Sequence, residues 1–374
     1  MDGMAEGALF LLTLGAAGAT NARIWQELSS RGSSWQELVE PGSDALWTAL
    51  GVPPGTVRRF RGLAEGCFAE KEAERAAFQG VHLVTAADPS YPPALWDLAD
   101  PPPALYVRGK WPLDSGGVAV VGTRRCTSYA FQVAQEVGRR VARAGRWLIS
   151  GGAMGVDGGA HGGALESGGP TAAVFGTGVD VFFPAEHGDL FRRIVAQGGT
   201  LLSEFPLGTT GRPWQFPQRN RIIAALASRT VVVEAPGRSG ALVTARRAME
   251  MGRELWVVPG RIDENVCEGS NALLADGGFP LVDVAHFAET LGGQPLQGTL
   301  GLYGDEKYDL PSDLGDLERK ILAQLRDRGD QTIDNLATGG TMSSAHISSA
   351  LALLNVRGLV YPSGPGRWRA SLKK

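Results

Sequence analysis

The sequence predicts an α/β fold: a doubly wound parallel sheet in the middle of the chain, small helical units before it, and three helices with a two-stranded wing after it. Three observations carry this. From Gly117 onward, short apolar runs alternate with helix-length segments. Each run is followed by a glycine or small-residue turn, and the rhythm is missing at both ends of the chain. Such a rhythm requires a parallel sheet covered on both faces by crossover helices. The 374 residues suggest about two or three domains, and 43% hydrophobic content suffices for a sizeable core.

At the N-terminus, helices are expected over 8–14 and 21–28, with a helix–turn–helix around 49–57. The apolar segment 7–19 is preceded by Asp2 and Glu6, not by Lys or Arg, and is interrupted by Gly15 and Gly18. It therefore does not read as a secretory signal, it is too short to span a bilayer, and no membrane partner is expected. Turn glycines of small helical domains can grip nucleic-acid backbones. Here Glu6, Glu27, Glu37 and Glu40 surround them and favour a spacer or partner-docking role. Residues 83–113, rich in proline and aromatics, are too apolar for a loose linker and are expected to wrap onto the following domain.

Strands are expected over 118–121, 147–149, 171–175, 200–203, 230–234 and 255–258, and helices over 129–144, 156–167, 187–197, 217–227 and 241–251. In such a sheet, ligands sit beyond the carboxyl ends of the strands where their order reverses. The stretch 147–165 is central: an apolar run ends at Ser150 and gives way to Gly151, Gly152, Gly155, Gly158 and Gly159 before an Ala-rich helix. Glycines let a ligand approach the main chain, and the free N–H groups of a helix's first turn suit a phosphate or another anion. Alternatively, these glycines serve close packing of helix on sheet. The spacing is neither that of dinucleotide binders nor that of a P-loop, so no NAD or ATP site is expected.

Three other strand ends matter. Gly122-Thr123-Arg124-Arg125 follows the first strand, and Arg124 can present a planar guanidinium to a phosphate, although one arginine there also reads as plain surface charge. The fourth strand leads to Gln215-Phe216-Pro217-Gln218-Arg219-Asn220-Arg221, which places two arginines in the first turn of a helix, against its dipole, so that they want an anion in front of them. Phe216 reads equally as a stacking platform for a base and as a staple into the core. The fifth strand delivers a second glycine-rich turn, with Ser239 and Gly240 at the start of a helix.

The net charge of −3 does not decide against a polyanion, because affinity follows local charge. Between Phe205 and Arg261 there are nine arginines and no lysine, against Glu234, Glu250 and Glu254, as suits a single-strand groove. Cys67, Cys126 and Cys267 form no CxxC pair and the five histidines no HExxH, so neither disulfides, metal nor any cofactor is expected, and a reducing cytoplasm fits. Asp157 and His161 are four apart on one helix face. They read either as an acid/base pair or as a capping acid and a packed histidine, and the lack of a nucleophile or metal ligand nearby favours the second. Glu204 and Glu234 are the other carboxylates placed for chemistry, and neither has an evident partner acid.

The motifs VVGTRR (120–125), SGGAMGVDGGAHGGAL (150–165), SEFPLG (203–208), FPQRNRIIAALA (216–227), VVVEAPGRSGALVTARRAMEMGRELWVVPG (231–260) and EGSNALLADGG (268–278) resemble the DNA-processing protein A family, DprA or Smf, across roughly residues 80–290. The resemblance implies an extended Rossmann-like domain that binds and protects single-stranded DNA, helps to load the RecA recombinase in natural transformation, and forms homodimers through that domain. It also implies a phosphate pocket of Gly122, Thr123, Arg124, Ser150, Gly151, Phe216, Gln218, Arg219, Asn220 and Arg221, with Ser239 and Gly240 beside it. The same superfamily includes nucleoside-monophosphate phosphoribohydrolases, whose P-G-G-x-G-T-x-x-E motif ends in a catalytic glutamate. Thr244 stands at that position here, and a hydroxyl cannot replace the carboxylate, so a binding protein is expected and the hydrolase is the alternative.

The expected division is a helical, SAM-like or helix-hairpin-helix domain over 1–80, the Rossmann-like domain over 81–291, a linker over 292–312, and a winged helix over 313–374. In the last, helices are expected over 317–325, 332–337 and 343–355, followed by a hairpin of 359–361 and 368–370. Winged helices often bind duplex DNA. The presumed recognition helix carries no Arg or Lys, so a weak duplex contact and protein docking stand side by side. For the dimer patch, Leu273, Leu274, Phe279 and Leu281 are the expected residues.

Overall fold

The computed structural model describes residues 3–292, apart from 20, 33, 41, 114 and 115, and residues 314–371, apart from 338–342 and 365. The expected linker falls almost wholly outside the described residues. Six helices come first: α1 (Gly3–Ala16), α2 (Arg23–Ser30), α3 (Trp35–Val39), α4 (Asp44–Ala49), α5 (Pro54–Glu65) and α6 (Phe68–Phe78). Phe10, Leu14, Leu28, Leu38, Trp47 and Phe60 make their core. The last helix, α6, is an addition to the sequence reading. Its buried Glu72 accepts a hydrogen bond from the Leu207 N–H at 2.7 Å, and Ala69, Ala76, Tyr106 and Leu207 share one apolar cluster, so these helices pack on the edge of the sheet.

Among the described residues the sheet has nine strands: β1 (His82–Thr85), β2 (Ala104–Gly109), β3 (Gly117–Val121), β4 (Leu148–Ser150), β5 (Thr171–Phe175), β6 (Thr200–Ser203), β7 (Ala227–Val232), β8 (Glu254–Val257) and β9 (Phe279–Pro280). Their order is β1-β2-β6-β5-β4-β3-β7-β8-β9. From β6 to β9 all neighbours are parallel, with Val118 opposite Leu148 and Val121 opposite Val232. The expected wholly parallel sheet is corrected at one edge. The connector does not merely wrap over the sheet but enters it, β2 running antiparallel to β6 and β1 antiparallel to β2. Tyr106, Val107 and Leu105 are buried there, which accounts for the apolar character of that stretch.

Helices α7 (Ser128–Arg143), α8 (Val156–Glu166), α9 (Gly188–Ala196), α10 (Gln215–Leu226), α11 (Gly240–Glu250), α12 (Glu268–Ala275) and α13 (Val284–Thr290) complete this part. Successive strand residues point to opposite faces. In β3, Val118 and Val120 pack in the cluster that takes in Val133, Val137 and Phe287 from α7 and α13, while Ala119 and Val121 pack in the cluster with Ile222, Ile223 and Leu242 from α10 and α11. Both faces are therefore covered, and the unbroken apolar runs follow.

Glycines set the distance between α7 and α8. A Cβ at Gly138 would overlap the Ala160 carbonyl, and one at Gly163 would overlap the Gln135 carbonyl. Chain order reverses at β3, flanked by β4 on one side and β7 on the other, so the crevice between the ends of β3 and β7 is the topological switch point.

The C-terminal region contains α14 (Asp316–Arg328), α15 (Ile333–Ala337) and α16 (Ser344–Val356), with strands β10 (Gln331–Thr332), β11 (Val360–Gly364) and β12 (Arg367–Ala370). The expected hairpin gains a third strand, since β10 pairs antiparallel with β12. Ile321, Leu325, Ile347, Leu351 and Leu354 form its core. The region touches the sheet domain where the Arg369 guanidinium lies 5.1 Å over the Tyr129 ring. No described helix is long and apolar enough to cross a membrane.

Candidate nucleic-acid interface

The ends of β3, β4, β5 and β7 form one rim, and the predicted residues come together there. After β3, the Thr123 N–H donates to the Glu234 carbonyl at 2.7 Å, and a Cβ at Gly122 would lie 2.9 Å from that same oxygen. After β4, Gly155 adopts φ +77°, and a Cβ there would sit 2.7 Å from the Arg124 carbonyl. The glycine turn is thus pressed against the loop that carries Arg124, which is close packing of loop on loop.

The same turn corrects one expectation. Two of its amides are not free for a ligand, because Gly151 and Ala153 donate to the Asp157 carboxylate at 3.1 and 3.2 Å. The chain's own carboxylate occupies part of the anion-binding concavity that successive N–H groups create. Burial pushes the Asp157 carboxyl up, against the pull of Arg219 and of the Ala153 and Gly151 amides. Ser150 is buried and its hydroxyl donates to the Val120 carbonyl at 2.6 Å. His161 is buried as well. Thr171 Oγ1 donates to the Leu148 carbonyl and lies 2.7 Å from His161 Nδ1, so Nδ1 carries the proton and the ring is neutral. The packed-histidine reading describes this residue, and burial lowers its pKa to about 3.

Arg219 and Arg221 point inward. Helix α10 begins at Gln215, earlier than expected, so Arg221 lies in the second turn and not at the helix N-terminus. Arg219 is 4% exposed; its Nη1 donates to the Gly151 carbonyl at 2.8 Å and to the Val174 carbonyl. A Cβ at Gly151 would come within 2.6 Å of its guanidinium, so only glycine leaves room for the side chain. Burial lowers its pKa to about 10, Asp157 opposes that, and Arg124 adds to it. Arg221 is 3% exposed and forms a bidentate pair with Glu204, at 3.0 and 2.7 Å, and a further bond to Asp100 at 3.0 Å. Burial pulls its pKa down, and Glu204 and Asp100 together outweigh that and raise it. Asn220 Nδ2 donates to the Gly240 carbonyl at 3.0 Å and ties α10 to the start of α11, where the Ser239 hydroxyl accepts from the Ala241 N–H.

The solvent side of the rim is left to other groups. Arg124 and Arg125 are exposed, and the Arg124 guanidinium lies 5.2 Å from the centre of the Phe216 ring, over its face. Phe216 and Gln218 are half-buried at the start of α10. Glycines bound the Phe216 ring: a Cβ at Gly176 would lie 2.8 Å from its Cδ1 and one at Gly211 3.1 Å from its Cζ. Phe183 leans on it with ring centres 5.2 Å apart.

Sequence reasoning missed Phe183 and Trp214. The signal was present: Gly176-Thr177-Gly178 closes β5 as a glycine-rich strand end like the others, and the loop it opens carries Phe183.

The cationic segment is also more balanced than its composition implies. Arg229 pairs with Glu254, Arg247 with Glu250, Arg253 with Asp97, and Arg261 with Asp263 and Glu264. Among the described residues, exposed Arg124, Arg125, Arg212, Arg238 and Arg246 have no carboxylate partner. Glu234 is buried and accepts from the Thr127 N–H and hydroxyl at 2.9 and 2.8 Å, which anchors the N-cap of α7. Among the described residues no cluster of His, Cys, Asp and Glu could hold a metal ion. Of the apolar set expected at a dimer patch, Leu273 and Leu281 are core residues, whereas Phe279 is exposed and packs on Trp256.

The family model for DNA recombination-mediator protein A matches residues 82–292. The Smf protein of Synechocystis is 33% identical over 311 residues, covering 74% of this chain and 77% of that protein. The X-ray structure of DNA processing protein A from Streptococcus pneumoniae superposes with a TM-score of 0.62 at 30% identity, over 73% of this chain and 94% of that one. DNA processing protein A of Helicobacter pylori, in a structure concerned with that protein's single-stranded DNA binding mode, gives a TM-score of 0.52 at 31% identity over 56% of this chain and 95% of that one. With the switch-point rim in place and these matches along the chain, the protein belongs to the DNA recombination-mediator protein A family, DprA or Smf.

Proposed function

We propose that the protein is a non-catalytic binder of single-stranded DNA that protects the strand and loads the RecA recombinase onto it during natural transformation, in the cytoplasm and as a homodimer formed through the sheet domain. The observation that carries the binding role is the exposed Arg124 guanidinium held over Phe216 at the switch point. A guanidinium free of carboxylate partners at that rim suits a phosphate of the strand. Arg124 contacts phosphate, while Gly122, Thr123, Gln218, Ser239 and Gly240 line the path. Ser150, Gly151, Arg219, Asn220 and Arg221 hold the rim in shape from within. The DNA binding ascribed to the H. pylori relative supports this reading.

The division into a helical domain over 1–80, a Rossmann-like domain over 81–291 and a winged helix over 313–374 belongs to the same proposal. Helix α16 bears no Arg or Lys, so protein docking stands beside a weak duplex contact as its role. A nucleotide-hydrolysing role would need a free carboxylate at the rim. Glu204 and Glu234 are each engaged by protein partners, and Thr244 is buried.

The test is anisotropy of labelled single and double strands across a salt series, beside an assay for free base released from nucleoside monophosphates. Salt-sensitive preference for the single strand with no base release supports the proposal, and base release would favour the hydrolase.

A further inference from the structure

Phe216 is poorly placed to receive a base. Arg124 lies over its ring, the backbone at Gly176 and Gly211 closes on its edge, and Phe183 covers more of it. Phe183 is different: 47% exposed, with its ring braced against Phe216 at an interplanar angle of 36°. Among the described residues, Met154 and Trp214 are also large apolar side chains left open here. Met154 belongs to the turn pressed on the Arg124 backbone, and Trp214 stands two residues before Phe216, with its edge on Phe205. Exposed aromatic surface beside unpaired guanidiniums does not suit an apolar protein partner, because docking there would desolvate Arg124 and Arg125. It suits a ligand that is anionic along one edge and flat and apolar along the other.

We infer that Phe183 is the stacking platform of the site: an unpaired nucleobase lies on its exposed surface while Arg124, held over Phe216, takes the adjoining phosphate. Phe216 is then the spacer that fixes both. This rests on the single-strand reading and adds to it a residue and a division of labour. Both Phe183 and Arg124 lie within 5.2 Å of one ring, so base and phosphate contacts fall within neighbouring nucleotides.

The experiment compares wild type, Phe183→Ala, Phe183→Trp and Arg124→Ala on a thymidine oligonucleotide and on an abasic oligonucleotide of equal length, with thermal melting as the fold control. Stacking on an aromatic predicts that Phe183→Ala weakens thymidine binding about tenfold, leaves abasic binding unchanged, and is rescued by Phe183→Trp. Arg124→Ala weakens both ligands alike. If Phe183→Ala binds both like wild type, or weakens both equally, while Arg124→Ala still weakens both, the platform is overturned and the single-strand reading stands. If Arg124→Ala changes neither, both fall.

Discussion

Arg221 and Glu204 face each other as a two-bond pair in the interior, 3.0 and 2.7 Å apart, each nearly excluded from water. Glu204 follows β6 and Arg221 sits in α10, so the pair fastens a helix to a strand end. Removing one partner of a buried pair leaves an uncompensated charge, at a cost of about 3–5 kcal/mol. Arg221→Met is expected to lower unfolding stability by that order in urea titration. Arg221→Met with Glu204→Leu should cost less than the single change. A single variant as stable as wild type would remove the pair from the fold's framework.

Gly162 and Gly163 are neighbours in α8 with opposite surroundings. A Cβ at Gly162 meets nothing within 4 Å, whereas one at Gly163 would overlap α7. Gly162→Ala should stabilise by up to ~1 kcal/mol through helix propensity. Gly163→Ala should destabilise by ~1–3 kcal/mol through overpacking. Melting temperatures of the two variants check this, and shifts of the same sign would contradict it.

His161 gives acid sensitivity with a definite sign. Burial holds its pKa at about 3 in the folded protein, against an ordinary value of 6.5. Between those values the unfolded chain binds the proton and the folded chain does not, so stability falls as pH drops through that window. Asp157, whose pKa is raised, acts in the opposite direction. His161→Leu is expected to flatten the decline of melting temperature between pH 6.5 and 4, and Thr171 would keep its bond to Leu148. An unchanged acid slope would contradict the assignment.

Much of the sheet was legible because the buried strands β3, β4 and β5 are largely apolar on both faces and run into glycine-rich turns. The antiparallel edge was not, since prolines 101–103 before β2 read as a wrapped connector although Ala104–Gly109 pairs as a strand. At the site, the helix-dipole argument for Arg219 and Arg221 placed both in the first turn of α10, whereas the helix starts at Gln215 and both lie past that turn. It could not tell a bound phosphate from Glu204, Asp100 and two carbonyls supplied by the chain itself. Which arginine faces water depends on helix phase and on where α10 starts, and composition does not encode either. Arg124 was legible as a rim residue because it lies in the short turn just past the end of β3.

Arg124 is exposed, so its removal should leave stability unchanged while altering affinity. The most direct measurement is the dependence of single-strand affinity on salt for wild type and Arg124→Ala. Wild type should lose affinity steeply as salt rises, and the variant should bind more weakly on every sequence with a slope shallower by about 0.7, one phosphate's worth on a single strand. Equal affinities and equal slopes for the two proteins would contradict the account.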